Sequence, residues 1–213
     1  GSKFLPKNDS GCLETLAWYI NKPVYASEGF VIMAGALLDY FIKKLNYASN
    51  FKNLEKKSSS FKKNNIFTIP SFLGLGTPWW SSKSNGKIYG LNSNTNDEDV
   101  CLSAFETVGF QIKAALDALK KHSSINIKNI NIDGKLSSSN IMRKILSSLI
   151  CKDFYFSDNS DITATGSALL ASKSSSLYKR KRSQYLFDKD DKHEYLINKY
   201  YKWKKLTDEY VNL

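Results

Sequence analysis

Four groups of residues in this chain have types and spacings that could carry chemistry. Ala34-Gly35-Ala36 sits inside a run of helically spaced apolar residues, where small side chains let another backbone or a ligand come close. The same patch would serve equally for packing a helix on a sheet. Ser71 to Trp80, SFLGLGTPWW, joins two glycines, Pro78 and two adjacent tryptophans in a stiff loop. Such a loop is either pinned by buried indoles or lines a pocket. Asp133-Gly134 closes an apolar run, and Ser137 to Ser139 can then cap a helix. The basic clusters Lys52 to Lys63 and Lys179 to Arg182 could meet phosphate. Cys12, Cys101 and Cys151 are far apart and lack metal-ligand spacing, so free thiols of a reducing compartment, the cytoplasm, are expected. His122 and His193 are isolated and read as structural or surface residues.

These groups need elements to position them. The 213 residues suit one domain or one lobe of a larger protein, and 42% hydrophobic content supplies a core. No apolar run approaches the roughly 18 residues of a membrane span. Gly1-Ser2 reads as a cloning scar, with residues 1–10 a lead-in and 11–213 the domain proper. The formal net charge of +11 raises nucleic acid as a partner. The lysines are clumped and the chain is rich in Lys, Asn, Ser and Ile throughout, so solvated loops and a general composition bias explain the charge better.

Leu13 to Ile20 and Val24 to Ala26 read as strands of a hairpin. Ser27 can cap a following helix whose apolar face holds Phe30, Ile32, Met33, Leu37, Leu38, Phe41 and Ile42. Residues 46–65 form a polar connector, mobile and partly helical, and a second mobile basic connector is expected near 173–184. Ile66 to Ile69 is a short strand. Ile125 to Ile132 contains another, with Ile125, Ile127, Ile130 and Ile132 as its apolar positions. A helix burying Ile141, Ile145, Leu146 and Leu149 follows, then a strand at Phe154 to Phe156 and a helix at Thr163 to Ser172. Asp191 to Tyr210 closes the chain as a helix with Leu196, Tyr200, Trp203, Leu206 and Tyr210 on one face. Strand, turn, helix, strand, helix is the rhythm of an α/β layer.

The longest pattern is GKIYGLNSNTNDEDVCLSAFE, Gly86 to Glu106. Ile88 and Tyr89 lie in a strand. Thr95 with Glu98 reads as a capping box, and Asp97, Glu98 and Asp99 favour the positive end of the helix that follows. Val100, Ala104, Phe105, Val108, Ile112, Ala115, Leu116 and Leu119 form its apolar stripe, which ends near Lys120-Lys121. Gly86, Ile88, Gly90, Leu91, Asp99, Val100, Ser103 and Glu106 occur in the order and spacing of the C-terminal signature of the FGGY carbohydrate kinases, and the chain resembles that family. Tyr25 to Phe41, SFLGLGTPWW, Ile130 to Gly134, TATGSALLAS and the tail YKWKK extend the resemblance over nearly the whole chain, within the family toward the glycerol kinases.

The resemblance implies an α/β fold, the actin-like, ribonuclease-H-like ATPase lobe, with a mixed sheet flanked by helices. It implies the C-terminal, nucleotide-holding lobe of a two-lobed phosphotransferase that moves the ATP γ-phosphate to a small polyol, glycerol first, with Mg²⁺. The partner would be the N-terminal lobe of the same protein, with pairing of two copies as a further feature of the family. No catalytic base in matching context is present, so the isolated lobe is expected to be inactive. Carried over by position, the nucleotide-binding residues are Gly35, Asp39, Gly134, Lys135, Ser139 and Asn140. Asp39 stands where the family has glutamine, Lys135 where it has the second glycine of the adenine turn, and Ser139 where it has asparagine, with Asn140 next to it. A glycine at position 135 would let the backbone lie against the base at positive φ. These departures support a second reading, a catalytically degenerate member kept for binding or scaffolding.

Overall fold

The computed structural model describes residues 1–5, 9–123, 127–157, 161–172 and 181–213. Ile125 of the expected strand, the Lys179-Arg180 pair and most of the expected 173–184 connector lie outside these residues.

Strands β1 (Leu13–Ile20) and β2 (Lys22–Glu28) form the expected antiparallel hairpin, turned at Asn21 with φ 63°. Strands β3 (Phe67–Ile69) and β4 (Lys87–Tyr89) form a second antiparallel pair. Strands β5 (Asn131–Ile132), β6 (Phe154–Ser157) and β7 (Arg182–Tyr185) form the mixed sheet, with β5–β6 parallel and β6–β7 antiparallel. The expected mixed sheet therefore appears as three small sheets, held together by helices.

Those helices are α1 (Gly35–Lys43), α2 (Phe51–Ser58), α3 (Asp97–Ser123), α4 (Asn140–Ile150), α5 (Ile162–Ser172) and α6 (Asp191–Asn212). Helix α3 is the axis of the molecule. It packs against α1, α2, α4, α6 and β3. From Val100 to Gln111 every residue is buried, because neighbours surround the helix on all sides rather than along one stripe. The polar residues of that stretch are each satisfied. Ser103 Oγ lies 2.9 Å from Thr68 Oγ1, Thr107 Oγ1 donates to the Thr68 carbonyl (3.0 Å), and Gln111 Nε2 donates to the Met33 carbonyl (2.9 Å). The core also takes Leu37, Leu38 and Phe41 from α1, Leu54 from α2, Ile141, Ile145 and Leu149 from α4, and Leu196, Tyr200 and Trp203 from α6.

Several expectations shift. Ser27 caps no helix; it lies within β2 and bonds Glu14. Helix α1 starts eight residues later, so Phe30 and Ile32 precede it, and Phe30 stacks on Trp80 instead. The capping box of α3 is one residue out of the expected frame. Asn96 Oδ1 accepts from Asp99 N (3.0 Å) and Asp99 Oδ2 accepts from Asn96 N (3.3 Å). Thr95 Oγ1 accepts from Asn92 N (2.9 Å) and serves the preceding turn. Asparagine caps as well as threonine does, so composition could not separate the two frames. Arg182 to Gln184, within the expected 173–184 connector, belong to strand β7, with the Arg182 guanidinium over the Tyr155 ring. Cys12 and Cys101 are buried thiols, and Cys151 is an exposed one. No helix among the described residues is long and apolar enough to cross a membrane.

Candidate functional site

The positions singled out by sequence fall into two groups on different helix starts. Gly35 is the first residue of α1 and is exposed; a Cβ built there would meet no atom within 4 Å. No side chain caps this helix and no acid occupies its first turn. The Leu37 amide turns back to the Ala34 carbonyl (3.1 Å), while no side chain caps the amides before it, so the positive end of the helix dipole is not offset. Asp39 lies one turn further on, exposed, and is bonded to Lys43 at 2.7 Å. That i,i+4 pair offsets the negative charge that Asp39 brings near the helix start.

The second group lies at the start of α4. Gly134 has φ 92° and no atom within 4 Å of a built Cβ. Lys135 to Ser138 then form a single 3-10 turn, closed by Ser137 N to the Gly134 carbonyl (3.0 Å). Positive φ therefore falls on Gly134, and Lys135 adopts right-handed backbone that any residue tolerates. The Lys135 side chain is exposed.

Ser139 is buried and committed. Its Oγ caps α4 by accepting from Met142 N (3.3 Å) and donates to Glu55 Oε1 (2.6 Å). Asn140, beside it, is exposed and lines a cavity of about 550 Å³ between α2 and α4, together with Lys52, Glu55, Lys56 and Lys144. Glu55 is a contributor the sequence reading missed. Its signal was present: it is the one acid in the lysine-rich run Lys52 to Lys63. Among the described residues no bond joins the Gly35–Asp39 pair directly to the α4 group.

The Ser71 to Trp80 loop resolves toward the structural alternative. Trp79 Nε1 donates to Asp208 Oδ1 (2.7 Å) and its ring packs edge-on against Trp203; Trp80 Nε1 donates to the Gly11 carbonyl. His122 is also structural: Nδ1 lies 3.1 Å from Ser10 Oγ and Nε2 2.9 Å from Glu14 Oε1. His193 Nδ1 donates to the Ser148 carbonyl at 2.9 Å. No group of three His, Cys, Asp or Glu residues among the described residues is arranged to hold a metal.

The Gly86 to Glu106 pattern positions the frame of the site. Gly90 has φ 87°, and a Cβ there would fall 2.1 Å from the Asn65 carbonyl, so only glycine allows β4 to leave the sheet beside that backbone. Glu106 is fully buried and meets Lys199 Nζ at 2.6 Å, with Tyr195 Oη at 3.5 Å. Asn64 Oδ1 takes another Lys199 proton at 2.7 Å. Burial pushes the Glu106 carboxyl up to about 7 against the pull of Lys199, and burial lowers the Lys199 ammonium. This pair ties α3 to α6 and to residue 64.

The comparisons with known proteins agree over the length of the chain. The model of the FGGY family of carbohydrate kinases, C-terminal domain, matches residues 5–175. Glycerol kinase of Francisella tularensis subsp. novicida is 26% identical over 210 residues, covering 94% of this chain and 42% of that protein. The chain therefore spans about two fifths of the length of the curated relatives it matches. The crystal structure of Plasmodium falciparum glycerol kinase with ADP superposes with a TM-score of 0.81 at 21% identity, over 97% of this chain and 44% of that one. Gluconate kinase of Lactobacillus acidophilus gives 0.74 at 14% identity, over 90% and 41%. The fold is the actin-like ATPase fold of these kinases, and the chain belongs to the FGGY family of carbohydrate kinases as its C-terminal domain.

Proposed function

We propose that this chain, as a domain from about residue 11 to 213, is the nucleotide-binding lobe of an ATP-dependent polyol kinase whose acceptor is glycerol. The glycerol kinase relatives support the acceptor. The observation that carries the nucleotide reading is the uncapped start of α1 at Gly35, with open space in front of it. Exposed amides at a helix start, with no side chain in the way, suit phosphate oxygens. In this reading Gly35 holds the phosphate end by its backbone, Gly134 leaves room for the nucleotide at the second turn, and Lys135 adds a positive charge beside it. Asp39 stays paired with Lys43 and adds no net repulsion. With Ser139 occupied by Glu55, contact at the base end falls to Asn140.

The residues present fit ATP at the phosphate end and partly at the base end. ATP supplies the phosphoryl group, and Mg²⁺ enters with the nucleotide. What the lobe itself contributes is position and charge, since phosphoryl transfer depends mostly on alignment and electrostatic support. The acceptor, its base and the closing cleft belong in this reading to the N-terminal lobe, so the 213-residue chain alone binds nucleotide without turnover. Isothermal titration with ATP and Mg²⁺ tests the reading. Saturable binding, abolished in Gly35→Val, supports it, and absence of binding at millimolar ATP counts against it.

A second reading is favoured by the Glu55–Ser139 bond, which places a carboxylate at the start of α4. A carboxylate there occupies the positive helix end that a ligand's anionic or acceptor groups would use. On that reading the protein is a degenerate member with a binding role. ATP binding that strengthens in Glu55→Gln but supports no turnover in the whole protein would select it.

A further inference from the structure

The cavity between α2 and α4 carries a charge that the nucleotide reading does not use. Its volume of about 550 Å³ suits a small molecule. Each helix lines it with residues one turn apart: Lys52 and Lys56 from α2, Asn140 and Lys144 from α4. Lys52, Lys56 and Lys144 are exposed, and among the described residues none of the three has a hydrogen bond or an ion pair. Other lysines nearby and elsewhere are matched. Lys57, next to Lys56 in sequence, meets Asp97 at 2.9 Å, and Lys43, Lys113 and Lys204 each hold an acid one turn away. Glu55 is the one acid on the cavity wall. Its Oε1 is held at the start of α4 by Ser139 Oγ (2.6 Å) and Ile141 N (3.5 Å), and it pairs with none of the three ammonium groups. The wall is also apolar and strained at one point. Phe61 is 7% exposed and has φ 44°, a left-handed backbone that a bulky residue rarely adopts. Ile141 adds to the apolar lining, and Lys192 Nζ lies 5.3 Å from the centroid of the Phe61 ring. Backbone held in such a conformation collects at ligand-holding sites.

Like charges gathered without matching acids repel, and an anion between them turns that repulsion into attraction. We propose that this cavity binds a small molecule with two or more negative charges, a phosphate monoester or a diphosphate, whose apolar or planar part lies against Phe61 and Ile141. Ammonium groups on flexible stems meet phosphate oxygens as point charges from several sides, and the Asn140 amide adds a donor. The size of the cavity selects a small molecule over a protein or nucleic-acid surface. The site is separate from the start of α1, where the proposed reading puts the phosphates of ATP. The two meet at Asn140, which that reading gives to the base of ATP. An anion in the cavity therefore changes the affinity for ATP, and ATP changes the affinity for the anion by the same factor. The anion site itself goes beyond the kinase reading and does not depend on it; only the coupling does.

Isothermal titration of the chain with inorganic pyrophosphate, without Mg²⁺ and at physiological salt, tests the proposal. The expected result is saturable binding that survives in Gly35→Val. The combined variant Lys52→Gln, Lys56→Gln and Lys144→Gln should weaken it about tenfold or more, because three charge-assisted contacts are lost. Lys204→Gln, which removes a lysine already paired with Asp208, should leave it within about twofold. If the combined variant does not fold, Lys144→Glu on its exposed position decides, with weaker binding expected. No saturable binding at millimolar pyrophosphate overturns the proposal. So does binding that persists in the lysine variants, or binding lost in Gly35→Val, which would place the anion at the start of α1. ATP with Mg²⁺ is titrated alongside. Pyrophosphate binding without ATP binding supports the anion site and sinks the kinase reading. ATP binding without pyrophosphate binding does the reverse.

Discussion

Glu106 and Lys199 show how one buried pair can explain a sequence signature. Both side chains are sealed from solvent, at 0% and 3% exposure, and they meet at 2.6 Å across α3 and α6. The two carboxyl oxygens face two donors, Lys199 Nζ and Tyr195 Oη, and a Gln amide would turn its NH2 onto one of them, so Glu106→Gln should cost about 1–3 kcal/mol in denaturant unfolding near pH 6. The pH dependence has a definite sign. The folded carboxyl titrates near 7 and the unfolded one near the ordinary 4.5, so the native state holds the extra proton between them. Stability from this group is fully present below about 4.5 and declines as pH rises through about 7. Lys199, without a carboxylate partner in the variant, is lowered by burial and recovers stability as pH rises. The gap between wild type and Glu106→Gln should therefore narrow from pH 5 to pH 8; a widening gap would contradict the assignment. Gly35 gives the complementary case. A Cβ there meets no atom within 4 Å, so Gly35→Val should change the unfolding free energy by no more than about 1 kcal/mol while removing ATP binding in titration.

At the scale of elements, the capping of α3 separates two frames one residue apart. Asn96→Ala should destabilise the chain by about 1 kcal/mol, because Asn96 Oδ1 takes the Asp99 amide. Thr95→Ala removes only the bond from Asn92 N in an exposed turn and should cost less than half as much. The reverse order in thermal unfolding would restore the Thr95 frame. Ser139→Ala should cost more than Asn96→Ala, since it removes both the cap of α4 and a buried bond to Glu55. Elements were legible where a period ran long. The helices α3, α4 and α6 carry enough apolar repeats to fix their faces, and the hairpin has a turn residue at Asn21. The start of α1 was not legible, because Phe30 and Ile32 fit a helical period while being used by the Trp80 stack and the loop. Strand β7 was hidden because a basic, serine-bearing stretch reads as connector, and its place is set by pairing with β6 far along the chain. The capping serine of α4 was legible within Ser137 to Ser139, but its bond to Glu55 was hidden for the same reason as β7: the two residues are 84 positions apart.

The molecule as a whole is a frame around α3, with its candidate site at the rim of that frame. The Gly86 to Glu106 pattern identified the family because it encodes this frame, through Gly90, Ser103 and Glu106. In the proposed reading, nucleotide binding depends instead on the rim residues Gly35, Gly134, Lys135 and Asn140, whose neighbours at the cleft belong to another lobe. The central claim is that this lobe carries ATP for transfer to glycerol. It is tested most directly by the whole protein's melting temperature with and without millimolar MgATP, read beside a coupled glycerol phosphorylation assay. Binding to the native state must raise the melting temperature. The account predicts an upward shift together with turnover of glycerol. No shift and no phosphorylation of any polyol would contradict it.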